Sequence, residues 1–299
     1  MEKWTFASIP EQAGRRCIVT GANTGIGYEA AKALALKGAD VTLACRNPDK
    51  GADALTRLHA ENPTGSASFQ ALDLADLASV EAFAESFGAA NDQLDLLILN
   101  AGVMVPPLTK TAQDFELQFG VNHLAHFALV GRLLSLLQKT EGARVVVLSS
   151  TAANFGAMDF DDLNWETRRY NAWPAYGQSK LANLLFTLEL QRRLSVSGSK
   201  LAVTAAHPGW TATDLQRTSP TASFFNRFLA MDPPQGALPT LRAATDLGAA
   251  SGDYYGPNGI GQMRGYPVRV DVPKHANSKE DAAKLWEVSE ELTGVGYEF

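Results

Sequence analysis

The 299-residue chain is poor in cysteine, histidine and uninterrupted apolar sequence. Its 2 cysteines lie far apart, and neither has the neighbours that a zinc site or a disulfide framework requires. Both are expected in buried strands, as ordinary core residues of a protein in a reducing compartment. The first twelve residues are polar and interrupted by Pro10, whereas a membrane-spanning helix needs about 20 apolar residues. We therefore expect no membrane anchor in the sequence.

Positive charge is also scarce, since the formal net charge is −6. This balance argues against nucleic acid or an anionic membrane surface as a partner. No linker rich in proline, glycine or serine divides the chain, and no repeat is visible. Strand-like and helix-like patterns alternate from Arg15 to about Leu247. This alternation predicts one α/β domain, a Rossmann fold whose doubly wound, mostly parallel sheet has helices on both faces.

A glycine-rich segment follows the first predicted strand. Cys17-Ile18-Val19-Thr20 is apolar and leads into Gly21-Ala22-Asn23-Thr24-Gly25-Ile26-Gly27, after which an alanine-rich helix and another strand are predicted. Glycines at such a turn let a pyrophosphate approach the backbone, and the amides of the new helix favour its charge. A tight structural turn is the alternative. The strand–helix–strand context favours nucleotide binding.

Tyr176 and Lys180 are four residues apart in a predicted helix, so they lie on one face. An ammonium beside a phenol favours the phenolate, which would lower the tyrosine pKa toward the range useful for proton transfer. The pair alone occurs often by chance, and the glycine-rich segment gives it weight.

These motifs together resemble the short-chain dehydrogenase/reductase family. Thr20 completes the pattern Thr-Gly-x-x-x-Gly-x-Gly, and further motifs follow in the family's order, including Asn100-Ala101-Gly102 with Leu99 in place of the family's first asparagine. The resemblance implies a catalytic tetrad of Asn122, Ser150, Tyr176 and Lys180. It also implies cofactor contacts by Gly21, Asn23, Thr24, Gly25, Ile26, Gly27, Arg46, Asp73, Leu74, Asn100, Ala101, Gly102, Tyr176, Lys180, Pro208, Gly209, Thr211 and Thr213.

The resemblance assigns each member of the tetrad a role. Tyr176 would exchange the proton with the carbonyl or alcohol oxygen, and Ser150 would donate a hydrogen bond to the same oxygen. Lys180 would hold the nicotinamide ribose and lower the tyrosine pKa. Asn122 would interrupt its helix and bind a water that relays protons to Lys180.

The end of the second strand indicates the cofactor. NAD-selective relatives place an acidic residue where this chain has the neutral Cys45, and Arg46 follows it. A guanidinium can bind a phosphate through paired hydrogen bonds, so we expect NADP(H) to be preferred. NAD(H) remains possible, because Asn23 and Thr24 in the glycine-rich segment are neutral.

Three phrases resemble the retinol dehydrogenase branch of the family, namely Ala44-Cys45-Arg46-Asn47, Ser179-Lys180-Leu181-Ala182-Asn183 and Leu285-Trp286-Glu287-Val288-Ser289. The resemblance implies a soluble, cytoplasmic and bacterial relative that acts on a small-molecule carbonyl or alcohol, and a homo-oligomer is plausible. Aromatic residues at 154–175 and 211–235 predict an apolar pocket, formed by an insertion and by a lid that closes over ligand.

Two alternatives remain at this point. A catalytically silent nucleotide sensor or scaffold could use the same fold. The spacing of His123 and His126 could clamp a metal, but no cysteine or third histidine nearby completes a site, so no metal is expected. A sugar-nucleotide epimerase is disfavoured by the glycine spacing.

Overall fold

An eight-stranded sheet forms the centre of the molecule in a computed structural model that describes residues 3–211 and 231–299. The strand order is β3-β2-β1-β4-β5-β6-β7-β8, with every pairing parallel except that of β7 with β8. The strands are β1 (Arg16–Thr20), β2 (Asp40–Cys45), β3 (Ser66–Ala71), β4 (Leu96–Leu99), β5 (Arg144–Leu148), β6 (Ala202–Ala206), β7 (Tyr254–Pro257) and β8 (Pro267–Val270). The predicted single-domain Rossmann fold is confirmed.

Helices cover both faces of this sheet. In chain order the described helices are α1 (Gly25–Leu36), α2 (Pro48–Ala60), α3 (Leu77–Ala90), α4 (Leu117–Phe119), α5 (Ala125–Lys139), α6 (Ala172–Ser197), α7 (Pro233–Thr245) and α8 (Lys279–Thr293). Short 3₁₀ turns occur at Phe6–Ser8, Thr151–Phe155, Ile260–Gln262 and Lys274–Asn277.

Alternate residues of β4 belong to different cores. Leu97 and Leu99 pack in the cluster that contains α3 and α5, whereas Leu96 and Ile98 pack with α1 and α7 on the opposite face. All four side chains are buried. A parallel strand covered on both faces needs apolar residues in both orientations, which explains the continuous apolar run in the sequence.

The strand order reverses between β1 and β4. From β1 the chain builds outward through β2 and β3, then returns to place β4 on the other side of β1. The loops that leave the carboxyl ends of β1 and β4 therefore diverge and form a crevice between them. This is the position at which doubly wound folds bind their ligands.

Helices α4 and α5 form one continuous helix, Leu117–Lys139, interrupted by a π turn at Gly120–Leu124. Asn122, the residue expected to interrupt its helix, lies in the middle of this π turn. By length and composition the continuous helix could cross a membrane, but 78% of its most apolar window is buried inside the protein. That is typical of a core helix, and the expected absence of a membrane partner stays a prediction.

Of the two segments predicted to form the substrate pocket, 154–175 lies within the described residues and most of 211–235 does not. Most of 211–235, including Thr213, lies outside the described residues. In 154–175, Trp165 is buried under the Arg168 guanidinium, which lies 3.6 Å from the ring centroid. Phe155 and Trp173 are 57% and 40% exposed. The buried ring therefore packs as ordinary core, and the role of the segment as a pocket wall stays a prediction.

Candidate active site

The glycine-rich segment lies in close contact with the loop after β4. Gly21 adopts a positive φ of 66°, and a Cβ there would come within 3.0 Å of the Ala101 backbone. A Cβ on Gly27 would overlap the Asn100 amide, which donates a hydrogen bond to the Thr20 carbonyl at 2.8 Å. Only glycine permits both the backbone torsion and this close approach. The result is a cradle at the amino end of α1.

A cavity of about 460 Å³ opens over this cradle. Thirteen of the residues predicted to contact the cofactor line it: Gly21, Asn23, Thr24, Gly25, Ile26, Gly27, Arg46, Asn100, Ala101, Gly102, Tyr176, Lys180 and Pro208. Except for Tyr176 and Lys180, which lie in α6, they follow the carboxyl ends of several different strands, which the sheet brings to one edge. The sequence motifs therefore converge on a single cavity.

Other predicted contacts lie outside the lining of this cavity. One Asp73 carboxylate oxygen accepts a hydrogen bond from the Ala75 amide at 2.9 Å, and Leu74 is buried in the core. Gly209 and Thr211 follow Pro208 in the loop after β6, and the Gly209 amide donates to His207 Nδ1 at 3.3 Å. The roles of these residues toward the cofactor stay predictions.

Lys50 also lines the cavity, and the sequence reasoning missed it. It lies in the first turn of α2, where Asn47 caps the helix by accepting from the Lys50 amide at 2.9 Å. A cation there opposes the helix dipole, which favours acidic side chains at this end. A lysine at this unfavourable position, four residues after Arg46, is the sequence signal from which its place in the cavity could have been predicted.

The Ser150 side chain lies close enough to the Tyr176 hydroxyl to lower the pKa of Tyr176. Tyr176 and Lys180 share one face of α6 and are 5% and 4% exposed. The Lys180 Nζ lies 5.8 Å from the tyrosine ring centroid and donates to the Leu148 carbonyl at 3.2 Å. The structure therefore places Tyr176 and Lys180 in the lining of the cavity, with the Ser150 side chain beside Tyr176.

We expected Lys180 to lower the pKa of Tyr176, and the structure contradicts this expectation. Burial raises the pKa of Tyr176 to about 12, and the opposing effect comes from the hydrogen bond with Ser150. Burial also lowers the pKa of Lys180 to about 8, so its positive charge is already partly lost in mildly alkaline solution. Desolvation is the largest cause of the shift in both groups. The tyrosine is protonated at neutral pH.

Asn122, the fourth member of the predicted tetrad, is hydrogen-bonded to Val103 and Ser179. Its side chain accepts from the Val103 amide at 2.7 Å and donates to the Val103 carbonyl at 3.0 Å and to Ser179 Oγ at 2.9 Å. Ser179 in turn donates to the Tyr176 carbonyl at 2.9 Å. Asn122 thus ties the loop after β4 to the helix that carries Tyr176.

The two histidines on the π turn and the start of α5 face different partners. His123 Nε2 lies 2.9 Å from Ser289 Oγ in α8. His126 is hydrogen-bonded to Thr20 and to the Asn122 carbonyl. The two rings therefore do not converge on a common point, and the described residues contain no group of three or more His, Cys, Asp or Glu able to hold a metal.

A glycine cradle, a switch-point cavity and a buried tyrosine and lysine with a serine beside the tyrosine are typical of dinucleotide-dependent oxidoreductases. The sequence matches the short chain dehydrogenase family over residues 15–223. The chain belongs to this family of oxidoreductases.

Relatives support the assignment over the full length. The chain is 41% identical to retinol dehydrogenase 12 of Mus musculus over 299 residues, covering 98% of this chain and 90% of that protein. A crystal structure of an uncharacterised protein from Mycobacterium paratuberculosis superposes with a TM-score of 0.85 at 40% identity, covering 100% of both chains. The Pseudomonas aeruginosa RhlG/NADP active-site complex is similar, with a TM-score of 0.66 and 26% identity over 85% of this chain and 96% of that one.

Proposed function

We propose that this protein is an NADP(H)-dependent oxidoreductase that interconverts a bulky, apolar ketone or aldehyde and the corresponding alcohol. The observation that carries the proposal is the buried Tyr176 hydroxyl in the glycine-cradle cavity, with the Ser150 hydroxyl and Lys180 beside it. A silent sensor would not need these side chains. The same pair is what an acid–base step on a substrate oxygen requires.

The cavity has a basic end. Arg46 and Lys50 both line it where β2 ends and α2 begins. Cys45, at the position where an acidic residue would repel a phosphate, is buried, and burial raises the pKa of its thiol to about 11. The thiol is therefore neutral at physiological pH. Two cations and no anion at this position favour a cofactor with a 2′-phosphate.

The residues present fit a dinucleotide. Gly21 and Gly27 let the glycine-rich segment pack closely on the loop after β4 at the amino end of α1, where a pyrophosphate would bind. Arg57 stabilises the segment by donating to the Asn23 carbonyl at 2.8 Å. Lys180 lines the same cavity beside Leu148 at the end of β5, where it would hold the nicotinamide ribose. When bound, the nicotinamide supplies or accepts hydride.

The protein's own part is to move a proton and stabilise charge. In the direction of carbonyl reduction, Tyr176 donates its proton to the substrate oxygen as negative charge develops there, and Ser150 stabilises that charge with a hydrogen bond. Lys180, when protonated, favours the tyrosinate that remains. The high pKa of Tyr176 keeps the proton-donating form dominant at neutral pH.

An apolar substrate is supported at the nicotinamide end. Val103, Met104 and Pro106 line the cavity there, after the Asn100-Ala101-Gly102 turn. Their side chains offer van der Waals contact rather than charge to a substrate. The similarity to retinol dehydrogenase 12 supports a long apolar alcohol or aldehyde as the substrate class.

The test is consumption of NADPH with a panel of carbonyl compounds. We expect turnover of bulky apolar ketones and aldehydes, with a retinoid aldehyde included, and little turnover of small or charged carbonyls. Binding of NADPH without turnover of any compound would favour the sensor. The same assay with NADH compares the two cofactors. From the sequence alone we also propose a cytoplasmic location, a homo-oligomer, and no nucleic-acid or membrane partner.

A further inference from the structure

The His126 imidazole connects the catalytic π turn to the cofactor loops. Its Nδ1 lies 3.0 Å from the backbone carbonyl of Asn122, and its Nε2 lies 3.0 Å from Thr20 Oγ1. His126 is 2% exposed, and Thr20 and Asn122 are fully buried. One ring therefore bridges the end of β1 and the centre of the π turn in a water-excluded interior.

The proton positions in this bridge follow from the partners. A backbone carbonyl can only accept, so His126 Nδ1 carries a proton and donates it to Asn122. Burial lowers the pKa of His126 to about 4, so the ring is neutral and Nε2 is an acceptor. Thr20 must then donate to Nε2. Its oxygen is in turn the acceptor for the Ala101 amide at 2.9 Å.

The resulting chain of hydrogen bonds runs in one direction from Ala101 through Thr20 and His126 to Asn122. Ala101 belongs to the cofactor loop after β4, and Thr20 directly precedes the glycine-rich segment. At the far end, the Asn122 side-chain oxygen and the Lys180 ammonium both face Gly102, whose Cβ would lie 3.0 and 3.5 Å from them. The His126 imidazole thus adds a bridge between the β1 loop and the π turn, beside the direct bonds from Asn100 to Thr20 and between Asn122 and Val103.

We propose that His126 is a positioning residue, which holds the Asn122 carbonyl and the Thr20 hydroxyl so that the π turn and both cofactor loops keep one geometry. It touches neither the cavity surface nor the reacting atoms. The inference rests on the proposed oxidoreductase function. The two ring nitrogens of His126 have separate roles. Nδ1 orients the π turn, and Nε2 orients the cofactor loops.

His123 offers a matched control. It lies one helical turn earlier, is 1% exposed and is neutral at physiological pH because burial lowers its pKa to about 3. Its ring packs against Phe119, Phe127 and Phe186 and bonds to Ser289, away from the cavity. A buried histidine that serves only the core should therefore respond to substitution as His123 does.

The experiment compares His126→Leu, His126→Asn and His126→Gln with His123→Leu. Each variant is assayed for kcat with an accepted carbonyl, for the NADPH dissociation constant by fluorescence, and for the thermal midpoint. An asparagine amide can replace Nδ1 as donor to Asn122, and a glutamine amide oxygen can replace Nε2 as acceptor for Thr20.

We expect His126→Leu to lower kcat by about 10–100-fold, the scale on which small misplacements of catalytic groups act. His123→Leu should leave kcat within about threefold at a similar loss of thermal midpoint. The asparagine variant should recover most of kcat, and the glutamine variant should recover NADPH affinity without kcat. Equal kcat in the two leucine variants, or equal failure of the asparagine and glutamine variants, would overturn the proposal.

Thr20→Val gives a second test of the bridge in case His126→Leu does not fold, because it replaces only the hydroxyl with a methyl group. It should weaken NADPH binding at least fivefold while kcat at saturating NADPH stays within about threefold, and unchanged affinity would contradict the bridge. A wild-type protein that turns over no carbonyl would refute the proposed function instead. The NADPH affinities of the variants would still decide whether His126 orients the cofactor loops.

Discussion

At the residue scale, Arg46 and Lys50 place two cations beside the same part of the cavity. Loss of one charge-assisted hydrogen bond to a phosphate costs about 1.5–3 kcal/mol, which corresponds to roughly 10–100-fold in affinity. Arg46→Ala and Lys50→Ala should each raise the Michaelis constant for NADPH by at least about tenfold and that for NADH by less than about threefold.

The control for this pair is Lys139→Ala, which removes an exposed cation at the end of α5, away from the cavity lining. It should leave both Michaelis constants unchanged. Equal losses with NADPH and NADH in the Arg46 or Lys50 variant would show that the side chain does not recognise the phosphate.

Lys180 should set the pH dependence of reduction. Its charge stabilises the tyrosinate that forms when Tyr176 gives up its proton, so the protonated lysine is the active form. Because burial lowers the pKa of Lys180 to about 8, this form is lost as the pH rises through about 8. The pKa of Tyr176, about 12, keeps the tyrosine protonated throughout that range.

The measurement is kcat for NADPH-dependent reduction between pH 6 and 10. We expect a plateau below pH 7 and a fall above about 8. A rate that rises across that interval would contradict the assigned role of Lys180.

At the element scale, the segment 154–175 is anchored to the start of α4, the helix that leads into the π turn. Tyr170 donates to the Glu116 carboxylate at 3.0 Å, and Glu116 also accepts from the Phe119 amide at 2.8 Å as the cap of α4. Glu116 is fully buried, and burial raises its pKa. The segment thus supports the cap of the helix that leads into the π turn.

Tyr170→Phe should lower the free energy of unfolding by about 1–3 kcal/mol, because it leaves a buried carboxylate short of a donor. Trp173→Phe, at an exposed aromatic residue nearby, should change it by less than about 0.5 kcal/mol. Urea unfolding of both variants checks this. Equal stability of the two would mean that the Tyr170 hydroxyl does not support the cap.

The local sequence pattern predicted the helices and strands better than it predicted the contacts between them. The glycine-rich segment and the Tyr176–Lys180 pair are contiguous or share one helix, so their spacing alone indicated the site. Lys50, four residues after Arg46, could have been found from the local sequence, whereas His126 reaches Thr20 across more than 100 positions of sequence. Such contacts depend on tertiary packing, which no spacing rule contains. The pKa of Tyr176 was predicted in the wrong direction for the same reason, since burial is not visible in a helical repeat.

At the scale of the whole molecule, three histidines are buried in the neutral form. Burial lowers the pKa values of His123, His126 and His207 to about 3, 4 and 4. In the unfolded chain each would titrate near 6.5. Below that pH the unfolded state binds protons that the native state excludes, so stability is intact above about 6.5 and falls as the pH drops toward 4.

Three such groups give a loss of up to about 4 kcal/mol per pH unit below 6.5. Urea unfolding at pH 7.5, 6.0 and 5.0 should show this slope, and His123→Leu should reduce it by about a third. A stability that stays constant from pH 7.5 to 5.0 would contradict the neutral burial of these rings.

The overall architecture was predictable because alternation of strands and helices leaves few topologies for a single α/β domain. The final antiparallel strand was not individually predicted. β8 is a four-residue edge strand that begins with Pro267 and exposes Arg269, so it carries little of the apolar pattern that marks the inner strands.

The central claim is that the Tyr176 hydroxyl transfers the proton in a reaction with NADP(H). The most direct test compares Tyr176→Phe with the wild type for NADPH affinity and for turnover of one accepted carbonyl. Removal of a single oxygen should leave the NADPH dissociation constant within about threefold and lower kcat by about 10²–10⁴-fold, as expected for loss of the acid–base group. A variant that binds NADPH normally and retains near-normal turnover would contradict the account.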